Sequence, residues 1–228
     1  MQKGQAVQAE VFDPQEKIAP ESKGLDSKGR GDRRELILDV ASEVFIVEGY
    51  AATSMSSIAA KLGGSKGTLY NYFKSKEELF VAYVQRHCEF HRGQIGDLLN
   101  EEGEARPVLT AFARRYLRVF TSEKTLQNWR VISAESAKSP EIGRMFYESG
   151  PLRGAKLVAE FLQKAVDRGE LRITDTLQAA HQFTSLIHGR MIKARLLNYL
   201  AVPSDEDIEG EVDAAMHVFF SAYGVAKD

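Results

Sequence analysis

Residues 53–79 read TSMSSIAAKLGGSKGTLYNYFKSKEEL, and the punctuation inside this stretch cuts it into three short helices. Ser54-Met55-Ser56 supplies hydroxyl caps for a first helix that carries Ile58, Ala59 and Leu62 on one side. Gly63-Gly64 stops it, because glycine tolerates the left-handed backbone that a helix end requires. Ser65 caps a second helix over 66–73, on which Leu69 and Phe73 lie one turn apart and face inward. Ser75-Lys76-Glu77-Glu78 opens the third as a capping box, with Ser75 as N-cap and Glu78 at the third helical position.

Two short helices joined by a glycine turn form a helix-turn-helix, whose second helix enters the major groove of DNA. With Leu69 and Phe73 turned inward, Ser65, Lys66, Thr68, Tyr70, Asn71 and Tyr72 are left for the outer surface. Hydroxyl, amide and ammonium groups bond phosphates, and Thr, Asn and Lys also read base edges. No acidic residue occurs between Glu48 and Glu77, whereas Lys61, Lys66, Lys74 and Lys76 all fall there. An acid-free surface bearing lysines suits a phosphate-facing patch. A solvated helical hairpin with ordinary capping is the competing account of the same spacing.

The segment 33–80 resembles the DNA-binding domain of the TetR (tetracycline-repressor) family of bacterial regulators. The residues that carry the likeness are Thr53, Ile58-Ala59, Ser65-Lys66-Gly67-Thr68-Leu69-Tyr70, Tyr72-Phe73 and Ser75-Lys76-Glu77-Glu78-Leu79. Gly64 departs from the pattern, which has a small aliphatic residue there. The second half, from Arg130 to about Arg190, is more loosely similar to the C-terminal domain of the AefR-like branch. Ala134-Glu135, Pro140-Glu141, Phe146-Tyr147, Arg168-Gly169-Glu170-Leu171 and Phe183 carry that second likeness. The resemblance implies that Lys66, Thr68 and Asn71 lie nearest the bases. Thr53, Ser65, Tyr70, Tyr72 and Lys76 are implied phosphate contacts, with Arg33 or Arg34 a further one, and Gly67 lets the backbone come close. It also implies that the helix from Ser75 links the DNA-binding head to a ligand-binding body, and that the last two helices pair with their symmetry mates in a dimer.

Composition bounds the alternatives. The 228 residues carry 43% hydrophobic and 27% charged residues, ordinary for a soluble globular protein, with a formal net charge of −2. No global basic field announces nucleic acid; the local lysines carry that argument alone. No apolar run approaches the roughly 18–20 residues of a membrane helix, and the N-terminus lacks the apolar segment of a secretion signal. The single Cys88 leaves no internal disulfide and fits a reducing cytoplasm, which is the expected location. No nucleophile elbow, phosphate loop, paired-carboxylate motif or metal quartet appears, so neither catalysis nor a cofactor is expected.

In chain order, 1–31 is polar, without apolar period, and reads as a disordered tail in which Lys23, Lys28 and Arg30 could reach DNA. A first helix runs from Asp32 to Glu48 with a stripe of Leu36, Ile37, Val40, Ala41, Val44 and Phe45, ended by Gly49. The Ser75 helix runs toward Asn100, weakened by Gly93 and Gly96. His87 and His91 stand i, i+4 on it, a spacing that suits metal chelation or two partly exposed imidazoles; with no further ligand in sight, no metal site is assigned. Cys88 reads as a small packed residue.

Further helices open at Pro107, Ser122, Ser139-Pro140, Pro151, Asp175 and Ser204. Phe112, Trp129, Phe146, Phe161, Phe183, His188 and Met191 are the candidates to line a ligand cavity, though the apolar ones would serve equally as plain core. His181 and His188 share one face, as core, interface or ligand contacts. The resulting expectation is all-α: a tail over 1–31, a three-helix DNA-binding domain over 32–80, and a helical ligand-binding and dimerisation domain over 81–228. The function expected is that of a dimeric repressor released from a palindromic operator by a small hydrophobic or aromatic inducer. An activator, a ligand-insensitive regulator, or a carrier without DNA binding are the alternatives.

Overall fold

The structure, a computed structural model, describes residues 23–100 and 103–225. Among them the regular elements are helices, with one isolated antiparallel bridge between Leu171 and Gly224. No helix among the described residues is long and apolar enough to cross a membrane. Two compact units result, the first ending at Leu36 and the second spanning Ile37–Asp228.

Helix α1, Lys23–Ala52, starts earlier than Asp32 and contains a break at Gly49, where φ is 76° and ψ 162°. The expected tail therefore divides: 1–22 lies outside the described residues, and 23–31 is helical. Lys, Leu and Arg between the glycines are good helix formers, and an existing helix extends past a glycine more readily than a new one nucleates. Leu36, read as core, is 43% exposed, and Leu38 is buried with Ile37, Ala41, Val44 and Phe45. Beyond the break, Thr53 donates its N–H and its hydroxyl to the Gly49 carbonyl at 3.3 and 2.7 Å.

Helices α2 (Met55–Lys61), α3 (Lys66–Tyr70) and the start of α4 (Lys76–Gly96) follow. The hydroxyls of Ser54, Ser65 and Ser75 accept the N–H of Ser57, Thr68 and Glu78, and Gly63 takes φ 68° in the turn. Five-residue α3 stops at Tyr70, short of the 66–73 expected, and Tyr72 and Phe73 bond the Leu69 carbonyl in a following turn. Met55, Ile58, Ala59, Leu69 and Phe73 close over the buried stripe of α1, and Phe45 meets Phe80 edge-on at 5.0 Å. Each fully buried Phe or Leu side chain here contributes about 2 kcal/mol by area removed from water.

After α4 come a 3₁₀ turn (Asp97–Asn100), α5 (Ala105–Phe120), α6 (Glu123–Ser136), α7 (Pro140–Ser149), α8 (Pro151–Asp167), α9 (Thr176–Leu196) and α10 (Asp205–Tyr223). Helix α9 breaks at Gly189, where φ is 37°. Leu109, Phe112, Leu162, Phe183, Ile187, Val212 and Phe219 form the core of the body. The two halves expected on either side of residue 80 share one compact unit. Leu79, Phe80, Tyr83, Val84 and Cys88 of α4 pack in a single apolar cluster with Ile132 of α6 and Ile142 of α7.

One buried cation knits the α5–α6 corner to the end of α9. Arg195, 5% exposed, donates to the carbonyls of Thr121 (3.3 Å) and Leu200 (2.9 Å) and to Glu123 Oε2 (3.1 Å). Arg195→Met should lower the unfolding free energy by about 2 kcal/mol, because it takes the donor away from two carbonyls while Glu123 keeps Arg130. Urea denaturation at one fixed protomer concentration reads this, and an unchanged midpoint would show that the network adds nothing.

Candidate nucleic-acid interface and ligand cavity

The short α3 presents most of the residues singled out for DNA. Lys66 and Gly67 open it in exposed positions, Tyr70 is 48% exposed, and Asn71 caps its C-terminus in solvent. Thr68 is half-buried, its hydroxyl 3.0 Å from the N-cap hydroxyl of Ser65; Tyr72 is also half-buried. The hydroxyls, amide and ammonium group therefore share one exposed helix and the turn after it. Of the four lysines in the acid-free stretch, Lys66 and Lys74 are exposed, and Lys61 pairs with Glu43 at 3.0 Å.

Two residues expected at phosphates are turned to the protein instead. Thr53 is 2% exposed and its hydroxyl proton is committed to the Gly49 carbonyl. Lys76 donates to the carbonyls of Tyr50 (2.9 Å) and Thr53 (3.0 Å), and its ammonium stands 4.2 Å over the Tyr50 ring. Orphan carbonyls at the end of α1 attract a cation as a phosphate does, so Lys76 ties the start of α4 to the end of α1. The Tyr50 hydroxyl completes the tie by donating to Glu77 at 3.2 Å; burial first, then the Glu77 charge, push that phenol up to about 12. Arg33 lies on α1 in the first unit, half-exposed.

The body contains a cavity of about 220 Å³. Four of the seven expected lining residues, Phe112, Trp129, Phe146 and His188, are on its wall. Phe161, Phe183 and Met191 are not: each is at most 3% exposed and packed in the body core, where Phe183 contacts the Phe112 and Phe219 rings. These three lie on the same helical stripes as true core residues, and period alone does not say which buried face meets empty space.

Residues not singled out for the cavity complete it. Tyr116 and Phe120 stack at 4.2 Å, Phe120 faces His91 at 5.4 Å, and His91 meets His87 edge-on at 4.3 Å. The Tyr116 hydroxyl and His188 Nε2 are hydrogen-bonded, and His188 meets Trp129 at 5.6 Å. Among the described residues no group of three metal-ligating side chains gathers around His87 and His91. Their i, i+4 spacing did mark the wall, although for aromatic and polar contact. Burial holds all three imidazoles low, His87 near 3, His91 and His188 near 4. Cys88 is packed against the α7–α8 break, where a Cβ on Gly150 would meet its Sγ at 3.1 Å; burial pushes the thiol up to about 11. Such a thiol is inert at neutral pH.

Helix α4 thus spans both features. Its first turns carry Leu79, Phe80 and Tyr83 into the head core, and its later turns place His87, His91 and Ile95 on the cavity wall. A buried hydrogen bond from the Tyr83 hydroxyl to Asn128 Oδ1 joins it to α6, one residue from Trp129.

Comparison with known proteins accounts for both halves. Residues 37–83 match the family model of bacterial regulatory proteins of the tetR family, and 107–225 match that of the AefR-like transcriptional repressor C-terminal domain. A crystal structure of a TetR-family regulator from Mesorhizobium loti MAFF303099 superposes with a TM-score of 0.80 at 30% identity, covering 86% of this chain and 98% of that one. The flavonoid-responsive regulator FrrA gives 0.73 at 34% identity, over 86% of this chain and all of its own. The transcriptional activator FasR of Mycolicibacterium smegmatis is 48% identical over 60 residues, which span 26% of this chain and 27% of FasR. With both halves matched and the whole fold shared at 30% identity or more, the chain belongs to the TetR family of DNA-binding bacterial transcriptional regulators, with an AefR-like C-terminal domain.

Proposed function

We propose that this protein is a homodimeric repressor that leaves a palindromic operator when a small aromatic molecule occupies the body cavity. The observation that carries the reading is the double engagement of α4, core of the head at one end and cavity wall at the other. Filling the cavity displaces its wall, and a rigid helix carries that displacement to the base of the helix-turn-helix. The effector acts only through its preference for the displaced state, so its differential affinity sets the size of the response.

On the DNA side, Lys66, Thr68 and Asn71 are the base-reading set, with Ser65, Tyr70 and Tyr72 on phosphates and Gly67 allowing close approach. Arg33 is an additional phosphate contact. Thr53 and Lys76 act by shaping the α1–α4 junction. A dimer places its two recognition helices about one DNA turn, ~34–36 Å, apart. Exposed apolar side chains at Leu177 and Val218, on α9 and α10, supply the pairing surface, as obligate interfaces require. Repression is favoured over activation by the AefR-like repressor model that covers the body, and an aromatic effector by the aromatic wall and by the flavonoid response of FrrA.

Fluorescence anisotropy on labelled DNA from upstream of the protein's own coding sequence tests this. The expected result is tight binding to one palindromic stretch, steeply weakened by salt, and released by an aromatic compound that also quenches Trp129. Binding that no quenching compound alters would refute the inducible part.

A further inference from the structure

Among the described residues His91 is the cavity imidazole with both ring nitrogens buried and without a hydrogen-bond partner. It is 8% exposed, lies on the wall, and neither Nδ1 nor Nε2 is hydrogen-bonded among the described residues. His188, by contrast, is bonded through Nε2 to the Tyr116 hydroxyl. Buried polar groups are almost always satisfied, and a cavity-wall imidazole with two orphan nitrogens marks where a bound molecule makes its polar contact.

Resting on the reading of the cavity as an effector site, we propose that its occupant is an uncharged phenol of one or two rings whose hydroxyl bonds His91. Three observations select this chemistry. First, His91 is neutral: burial chiefly, and the nearby Lys124 charge secondarily, hold it near 4, so it offers one N–H donor and one lone pair. A hydroxyl serves either, as donor or as acceptor. Second, no carboxylate faces the cavity among the described residues, so an aromatic cation would be buried without a counter-charge; the wall's one guanidinium is the half-exposed Arg92. Third, about 220 Å³ is below the roughly 300–1,000 Å³ of sites for drug-sized ligands, and Phe112, Phe120 and Trp129 supply flat apolar faces.

A matched set of probes tests it: 4-propylphenol, propylbenzene, 4-propylbenzoate and 4-propylbenzylammonium. Trp129, the single tryptophan of the chain, stands on the wall and reports occupancy by its fluorescence. The phenol should bind about tenfold tighter than propylbenzene, the size of one well-made hydrogen bond, and the cation weakest of the four. His91→Leu should erase the preference for the phenol while propylbenzene still binds. His91→Gln, which keeps a donor and an acceptor, should retain part of it.

Removing orphan nitrogens leaves the ligand-free protein as heat-stable as before or more so, and a melting curve shows whether His91→Leu is folded. Should it not fold, the wild-type ratio of phenol to propylbenzene decides. Equal binding of those two, or a preference that survives His91→Leu, overturns the proposal and leaves the effector cavity standing. Tightest binding by the benzoate moves the polar contact to Arg92 and overturns it likewise. Failure of all four probes to change Trp129 fluorescence removes the effector cavity and the phenol together.

Discussion

Lowering the pH from 7 to 4 should strongly destabilise this protein, with most of the loss between pH 6.5 and 4.5. His87, His91 and His188 are held by burial near 3, 4 and 4, against an ordinary value of 6.5. The unfolded chain therefore takes up protons below pH 6.5 that the folded chain refuses. Stability is full above 6.5 and falls as the pH drops toward the folded values. Each imidazole removes up to about 1.4 kcal/mol per pH unit, so three acting together remove ~4 kcal/mol per unit. Two units of that remove about 8 kcal/mol, which exceeds the lower part of the usual range of total stabilities, about 5–15 kcal/mol.

The perturbed carboxylates act lower down. Glu77 is depressed chiefly by a backbone hydrogen bond and Glu123 chiefly by Arg130, so their contributions are present above the carboxylate range and disappear only below about pH 4.5. The window above it belongs to the histidines. Circular dichroism melts from pH 7.5 to 4 should show Tm falling from 6.5 downward, and a His87→Gln, His91→Leu, His188→Gln variant should flatten the curve. A wild-type Tm constant to pH 5 would show that the imidazoles protonate without penalty.

The second large effect is on DNA. Asn71→Ala should weaken operator binding ~100-fold or more, since the proposed base contact, worth about 1–3 kcal/mol, would be lost twice in the proposed dimer. Binding to unrelated DNA should change little, because an amide reading a base edge contributes little to non-specific affinity. Arg33→Ala, at a proposed phosphate contact, should lower affinity for both, and reduce the slope of log K against log salt by about 2, one released counterion per protomer. Anisotropy titrations between 50 and 200 mM salt, which span about this range of sensitivity, separate the two patterns. Parallel losses from Asn71→Ala on operator and random DNA would place Asn71 at the phosphates.

The local sequence revealed the helices well because their ends are local chemistry. Ser54, Ser65, Ser75, Ser122, Asp175 and Ser204 each cap the helix that follows, and a cap needs only its own next three residues. Roles that depend on distant partners were less legible. Thr53 and Lys76 look like phosphate ligands because hydroxyl and ammonium groups suit phosphates and helix-end carbonyls alike; the kink at Gly49, which orients those carbonyls, is a three-dimensional fact. Phe112 and Phe183 face each other at 6.0 Å, yet one is cavity wall and the other core. Their spacing placed both inside and could not say which side of the ring would meet protein. His91 was visible as half of a pair, but its lack of a partner depends on every helix around it.

The insertion of Ile132 and Ile142 among the residues that hold α1–α4 together has a consequence for evolution and engineering. Here, cutting the chain after α4 would strip two isoleucines from the head's interior and expose Phe80, Tyr83 and Val84 to water. A chimera that joins a foreign reading head to this body must therefore carry matching α6 and α7 positions with it. Where those are not exchanged together, the hybrid inherits a hole in its middle, and its lineage can trade heads only by trading the neighbouring hairpin as well.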